Sequence, residues 1–228
     1  MGTIRVQQWV AVTSLLLFAI KIIAYYLTNS VAVLTDALES TVNVVTGFTG
    51  LYSLHIAAKP RDENHPYGHG KAELLSASFE GILILVAGFV IIYESIGNLL
   101  HPHTLKQLDT GIILIAATAV INYVVGAWCI RTGRQQHSIA LESSGKHLQS
   151  DTWTTAGIVG GLVLLRLTGI LWIDSVVAII SALIIIVEGY KIIRQTVAGI
   201  MDEADMELLL QLIGVLNANK RRAWIDMH

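Results

Sequence analysis

Two pairs of polar residues stand four positions apart inside long apolar stretches of this sequence. Glu39 and Asn43 form the first pair, and His147 and Asp151 form the second. Residues four apart lie on one face of a helix, so each pair would direct its side chains the same way. If the two faces meet, one imidazole, two carboxylates and one amide oxygen converge. That donor set suits a borderline divalent metal, with Zn²⁺ first and Fe²⁺, Co²⁺ or Mn²⁺ as further candidates.

The other interpretation of these two pairs is plain hydrogen bonding between helices. A charge at the centre of a bilayer costs at least about 2.5–3.5 kcal/mol, so each buried carboxylate needs a partner. Two pairs in different apolar stretches therefore favour a shared metal. Asp36 is predicted to have a structural role as the partner of Lys21. For the other polar residues within or near apolar stretches we expect packing and hydrogen bonding: Glu80, Glu94 and Asn122.

A polar, glycine-containing loop provides a second candidate metal site. His65 and His69 are four apart, and Asp62 precedes the first by three positions. Glycines permit the tight turns that would let these three side chains chelate one metal ion. Such a loop on its own is usually only solvated. At the mouth of a pore that holds a buried metal site, metal binding becomes the better interpretation.

The composition places the chain among membrane proteins. Of its 228 residues 54% are hydrophobic and only 14% are charged, whereas soluble domains carry about 25% charged residues. This balance excludes a disordered chain. The single Cys129 excludes an internal disulfide and a cysteine zinc cluster. A net charge of −2 gives no reason to expect nucleic acid as a partner.

Apolar runs long enough to cross a bilayer, about 20 residues each, occur six times. The runs are continuous rather than alternating, which predicts helices and excludes a β-barrel. The predicted fold class is therefore an all-α membrane protein with six transmembrane helices. The predicted spans are 6–28, 31–57, 78–100, 110–130, 145–167 and 171–193.

Lysine and arginine residues predict the orientation of these spans. With a cytoplasmic N-terminus, nine of them lie at inside positions up to Arg194 and two lie in outside loops, and positive charge favours the cytoplasmic side. Both termini are therefore predicted to be cytoplasmic. The inside residues are Arg5, Lys59, Arg61, Lys71, Arg131, Arg134, Lys146, Lys191 and Arg194, and the outside residues are Lys106 and Arg166.

The segment after the sixth span changes character and predicts a second domain. Residues 1–200 form the predicted transport region, and residues 201–228 look like the beginning of a cytoplasmic domain. Met206 to Leu216 reads as a short amphipathic helix, and Ala223 to His228 reads as the start of a strand. One helix and one strand cannot bury a core, so we expect this domain to be incomplete here.

The combined motifs resemble the cation diffusion facilitator family of dimeric metal-ion/proton antiporters. The likeness rests on the segment from His65 to Glu73 after the second span, and on His147 and Asp151 in the fifth of six. It covers the whole six-span region. The spacing from Asn43 to His65 equals the family's spacing. Family members commonly have Asp or His where Glu39 stands and Asp where Asn43 stands, so both residues depart from the pattern.

The resemblance implies roles for particular residues. The family's intramembrane transport site corresponds to Glu39, Asn43, His147 and Asp151, and its loop site corresponds to Asp62, His65 and His69. Lys71 and Asp202 match a charge pair that locks the third span to the sixth near the dimer interface. The family continues into a cytoplasmic metal-binding domain with a ferredoxin-like fold, and His228 falls where that domain begins to contribute ligands.

These observations predict proton-coupled efflux of a divalent transition metal, Zn²⁺ first, with Fe²⁺, Co²⁺, Mn²⁺ or Cd²⁺ as alternatives. To bind metal, His147 must be neutral and the carboxylates ionised, so binding releases protons. The metal is cargo, and no resident cofactor is expected. We expect a homodimer, no enzymatic activity, and a multi-pass location in a prokaryotic cytoplasmic membrane.

Two other functions compete with this prediction. An intramembrane metallohydrolase also uses histidines and carboxylates, but its typical His-Glu-x-x-His helix does not occur in the sequence. A passive cation channel is the second alternative, although tight ligand sets oppose fast conduction.

Overall fold

The computed structural model describes residues 3–102, 104–136, 139–203 and 206–218. Six long helices and one short one follow each other along the chain. They are α1 (Thr3–Thr28), α2 (Val31–Ala57), α3 (Lys71–Leu100), α4 (Leu108–Gln135), α5 (Ile139–Thr168), α6 (Trp172–Ile200) and α7 (Met206–Ala218). The prediction of an all-α protein with six long apolar helices is confirmed.

Five of the helices are longer than their predicted spans at one end of the bundle, and three of them differ by six or seven residues. We call this end, where α1 begins, the inner end. There α3 begins at Lys71 instead of residue 78, α5 begins at Ile139 instead of 145, and α6 continues to Ile200 instead of 193. A helix of 30 residues is about 45 Å long, while the bilayer's hydrocarbon is about 30 Å thick. Polar residues therefore end an apolar run without ending the helix.

Apolar character differs among the six helices. Long parts of α1, α3, α4 and α6 are strongly apolar and long enough to cross a membrane. Helices α2 and α5 carry the predicted transport-site residues, Glu39, Asn43, His147 and Asp151. Many large apolar side chains are exposed on the bundle, among them Phe89, Tyr93 and Leu183. These features define a multi-pass integral membrane protein.

Close approach between helices occurs at glycines. Helix α3 packs on α6 and α4 packs on α5, while α2 contacts α1, α3, α5 and α6. A Cβ atom on Gly81 would lie 2.6 Å from Cγ1 of Ile193 on α6, and one on Gly145 would lie 2.7 Å from the carbonyl oxygen of Gly126 on α4. Small residues let membrane helices approach this closely. They bring α3 close to α6 and α4 close to α5.

The outer end of α2 is held by Asp174 at the start of α6. The Asp174 carboxylate accepts hydrogen bonds from the backbone amides of Val31 (2.7 Å) and Ala32 (3.2 Å) and from the Ser30 hydroxyl. A carboxylate at a helix N-terminus satisfies free amides and interacts favourably with the helix dipole. This contact fixes where along the bundle axis α2 begins.

The C-terminal segment is described only in part. Helix α7 occupies Met206–Ala218, where the sequence predicts an amphipathic helix. The predicted strand from Ala223 to His228 lies outside the described residues. The division into a transport region at 1–200 and a second domain at 201–228 therefore stays a prediction.

The orientation of the bundle is open to a labelling test. Single cysteines at Glu63 and Gln135, both exposed at the inner end, are expected to react with an impermeant maleimide only from the cytoplasm. A cysteine at Thr104, exposed at the outer end, should react only from outside. The native Cys129 is fully buried and should contribute little background. Labelling of the Glu63 position on intact cells would contradict the predicted orientation.

Candidate metal centre

A cavity of about 780 Å³ lies among the inner halves of α1, α2 and α5, with single residues of α3 and α4 in its wall. Its apolar lining is interrupted by a small group of polar and charged side chains. Those with functional groups that matter below are Lys21, Asn43, Glu80, Asn122, His147 and Asp151. Three of the four predicted transport-site ligands thus line one cavity.

Asp151 is the centre of the contacts between these ligands. Its Oδ2 accepts a hydrogen bond from Nδ2 of Asn43 at 3.2 Å, and its Oδ1 lies 3.9 Å from Nε2 of His147. For Asn43 to bind a metal, its amide must turn so that the oxygen faces the ion, because an amide nitrogen has no lone pair for coordination. Such a turn would release Asp151 for the same ion.

The ligands differ in their access to water. Asp151 is 7% exposed, whereas the His147 side chain is 56% exposed. His147 lies one helical turn closer to the inner end than Asp151. An ion arriving from the inner side would therefore meet the imidazole before the buried carboxylate.

Glu39 takes a different position from the other three predicted ligands. It is half-buried one turn outward from Asn43 and does not belong to the lining of the cavity. Its carboxylate is repelled by that of Asp151, so the two are close enough to interact electrostatically. In the described part of the chain, only the loop residues form a cluster of three His, Cys, Asp or Glu ligand atoms within 4.8 Å. The four-ligand site stays a prediction that requires Glu39 to move closer.

A buried ion pair lies at the outer side of the cavity, where Lys21 belongs to the lining. Lys21 Nζ is 2.9 Å from Asp36 Oδ1, and the Thr155 hydroxyl donates to the same oxygen at 2.8 Å. The pair that the sequence predicts between Lys21 and Asp36 is confirmed. The third partner, Thr155, was not predicted, although its place four residues after Asp151 puts it on the same face of α5. These three side chains tie α1, α2 and α5 together.

Glu80 is a cavity residue to which the sequence assigned only packing. It is half-buried on α3, lines the cavity with His147, and interacts electrostatically with that imidazole. Asn122 of α4, for which the sequence also predicted packing and hydrogen bonding, is a further lining residue. An acidic residue within an apolar span was the available signal for Glu80. Whether the face of α3 that carries Glu80 lies toward the cavity or toward lipid could not be predicted from a single sequence.

The loop between α2 and α3 brings Asp62, His65 and His69 together. His65 Nδ1 lies 2.9 Å from Asp62 Oδ1, and His69 Nε2 lies 3.4 Å from Asp62 Oδ2. The ring centroids of the two histidines are 4.3 Å apart. Local turns create this arrangement, because the amide of His65 also donates to Oδ1 of Asp62 at 2.6 Å. One imidazole nitrogen from each histidine therefore faces the same carboxylate.

The neighbours of Asp62 favour the ionised form of its carboxyl group. The hydrogen bond from the His65 side chain, with smaller contributions from its backbone amide and the neighbouring imidazoles, lowers the pKa of Asp62 below its usual value. The carboxylate therefore stays ionised at neutral pH. An ionised carboxylate is the form that binds a metal cation.

The loop cluster is expected to be accessory to transport. His65→Ala removes one of three candidate ligands, so one class of metal site should weaken by about 10-fold or more. Most transport should remain, because the loop lies away from the intramembrane cavity. Calorimetric titration with Zn²⁺ and vesicle uptake would measure both properties, with exposed Tyr67→Ala as control. Complete loss of transport in a well-folded His65→Ala protein would contradict this role.

Two ion pairs lie at the inner end of α6. Lys71 Nζ at the start of α3 lies 2.8 Å from Asp202 Oδ2 and also donates to the carbonyl oxygen of Ile200 at 3.1 Å. Arg194 forms two hydrogen bonds with Glu203, at 2.7 and 2.8 Å. The predicted partners Lys71 and Asp202 are thus in contact, and their function at a dimer interface stays a prediction.

Comparison with known proteins identifies the family of this architecture. Residues 8–201 match the model of the cation efflux transmembrane domain. An uncharacterized transporter of Synechocystis sp. is 38% identical over 85% of this chain, which spans 63% of that transporter's length. The manganese efflux system protein MneS of Bacillus subtilis is 28% identical, with 85% of this chain and 66% of the relative covered.

A third relative carries an exchange reaction in its name. The cadmium, cobalt and zinc/H(+)-K(+) antiporter of Bacillus subtilis is 24% identical, with 90% of this chain and 68% of the relative covered. The resemblance drawn from His65 to Glu73 and from His147 and Asp151 is confirmed. With six long helices and a family match over residues 8–201, the chain belongs to the cation efflux family of transporters, which are not enzymes.

Proposed function

We propose that this protein exports divalent transition-metal cations from the cytoplasm in exchange for protons. The observation that carries the proposal is the cavity in which Asn43, His147 and Asp151 meet among the inner halves of the helices. An ion entering from the cytoplasm would displace the hydrogen bond between Asn43 and Asp151. Glu39 would then complete the ligand set as α2 and α5 approach.

Proton exchange follows from the chemistry of these ligands. A protonated imidazole has no lone pair left for a metal, and a protonated carboxyl is a poor ligand. Metal binding therefore expels protons from His147, Asp151 and Glu39, and protons from the outer side would expel the metal. An outward-open conformation would separate Lys21, Asp36 and Thr155, which are in contact at the outer side of the cavity.

Zn²⁺ is the metal that we place first. One imidazole, two carboxylates and one amide oxygen match its four-coordinate preference and mixed nitrogen and oxygen ligands. The relatives' names mention manganese in one case and cadmium, cobalt and zinc in another, and harder oxygen ligands would favour Mn²⁺. Replacement of a carboxylate by Asn43 makes the site less negative than one with three carboxylates.

Everted membrane vesicles provide the test of this function. With an imposed pH gradient, the protein should move Zn²⁺ against its concentration gradient, and Zn²⁺ addition should collapse part of the gradient. Comparison of Zn²⁺, Fe²⁺, Co²⁺, Mn²⁺ and Cd²⁺ would establish the preference. A channel would move metal only down its gradient, and a metallohydrolase would move none. Native mass spectrometry in detergent would test the proposed homodimer.

A further inference from the structure

The ion pair of Lys21 and Asp36 lies outside the proposed ligand set but next to it. Asp36 precedes Glu39 by three residues on α2, and Lys21 lines the same cavity as Asp151. Lys21 is 2% exposed and Asp36 is fully buried. Charges so deeply buried are costly unless they are balanced, and their effects on neighbouring charges are weakly screened.

The Lys21 ammonium interacts with three carboxylates. It contacts Asp36 at 2.9 Å, and it is also attracted electrostatically to Asp151 and Glu39. Asp36 has a second oxygen, Oδ2, which is buried without a hydrogen-bond partner in the described part of the chain. One oxygen of Asp36 is therefore not stabilised by a hydrogen bond there, and the charge of this carboxylate is balanced by Lys21.

Counting charges in this group gives a definite result. In the metal-binding state, which requires ionised carboxylates, three carboxylates and one ammonium leave two negative charges, and one divalent cation neutralises them. Without the ammonium the group would hold three negative charges, and without Asp36 it would hold one. Two other carboxylates act on the ligands from outside the group, Glu80 on His147 and the exposed Glu188 on Glu39. Both of these carboxylates remain in place when only Lys21 and Asp36 are substituted.

We propose that Lys21 sets the charge of the transport site: by neutralising Asp36, it leaves the two negative charges that match a divalent cation. This proposal rests on the proposed function. Lys21 is a positioning residue rather than a ligand, because an ammonium has no lone pair to offer a metal. Its charge limits the affinity for the ion, so that the ion can be released after the site opens outward.

The rival explanation is that the pair merely ties α1 to α2. Both explanations predict that changes at these positions matter, but they differ in sign. Under charge control, Lys21→Met should tighten metal binding and Asp36→Asn should weaken it, and the double variant should restore it. A purely mechanical tie would be lost in all three variants, so all three should be impaired in the same direction.

The experiment uses the full chain in detergent or nanodiscs with Zn²⁺ as the probe. Lys21→Met should bind Zn²⁺ at the intramembrane site about 10-fold more tightly, and Asp36→Asn about 10-fold more weakly. The double variant should stay within about threefold of the wild type, and so should the control Ile23→Leu, at an exposed residue of α1 outside the lining of the cavity. His65→Ala in the background of every variant removes the contribution of the loop site.

Vesicle transport provides the second measurement. Lys21→Met should carry Zn²⁺ more slowly despite tighter binding, because release is impaired, whereas the control Ile23→Leu should transport normally. If Lys21→Met does not fold, the weakening in Asp36→Asn and its reversal in the double variant still test the proposal. Loss of binding in the same direction in both single variants, or a double variant as impaired as either, would overturn it. Wild-type protein that binds Zn²⁺ but exchanges no protons would overturn only the proposed function.

Discussion

Asp151→Ala and His147→Ala are each expected to abolish metal-coupled proton flux while the protein still assembles in the membrane. Asp151 contacts Asn43 and His147 from the buried end of the cavity. Loss of one partner from a buried set of charges costs about 3–5 kcal/mol, so uptake should fall by about 100-fold or more. Everted vesicles supplied with Zn²⁺ and a fixed pH gradient provide the measurement.

The double variant distinguishes one shared site from two independent effects. Residues that act as one unit are not additive, so His147→Ala combined with Asp151→Ala should be no worse than either change alone. Ser150→Ala is the matched control, because Ser150 is exposed on the same helix next to Asp151. Its uptake should remain close to that of the wild type.

The dependence of uptake on pH should also change with His147. In the wild type, uptake should rise as the pH is stepped from about 5.5 to about 8, since an imidazole must be neutral to bind metal. In His147→Ala the small remaining uptake should lack this rise. Robust uptake by His147→Ala that still responds to pH would rule out the four-ligand antiport site.

Gly145→Ala is expected to destabilise the bundle and to impair transport, although it adds only one methyl group. The new Cβ would lie 2.7 Å from the carbonyl oxygen of Gly126 and 2.8 Å from the backbone nitrogen of Ile130. Backbone atoms of α4 cannot turn away as a flexible side chain can, so α4 and α5 must separate. Overpacking of this kind costs about 1–3 kcal/mol. A lower thermal unfolding midpoint in detergent would measure it.

Transport should suffer because Gly145 stands two residues before His147 on α5. Separation of α5 from α4 would move the imidazole relative to Asn43 on α2. Gly157→Ala is the matched control on the same helix, because a Cβ at Gly157 meets nothing within 4 Å. That change should be neutral or stabilising by up to about 1 kcal/mol, since alanine is the better helix former. Equal unfolding midpoints for Gly145→Ala and the wild type would contradict the proposed close contact.

The loop cluster shows what a local pattern can determine. Asp62, His65 and His69 are separated by three and four residues, and short turns bring them within reach of one another. The number and approximate position of the six helices are also predictable from the sequence. Each spanning segment must satisfy its own backbone polar groups in lipid, so each can be recognised separately. His147 and Asp151 stand on one face of α5 for the same reason. Sequence alone was sufficient for these features.

Contacts between helices required the tertiary structure. The predicted Lys21–Asp36 pair acquired Thr155 as a third partner, Glu80 proved to line the cavity, and Glu39 proved to lie outside it. Rotation and vertical offset of each helix decide such contacts, and they are set by packing at Gly126 and Gly145 and by the hold of Asp174 on α2. Hydropathy reports how apolar a segment is, but it carries no information about the neighbour that a given face will meet. The sequence determined which residues are available for the site, and only the packed bundle decided which of them meet.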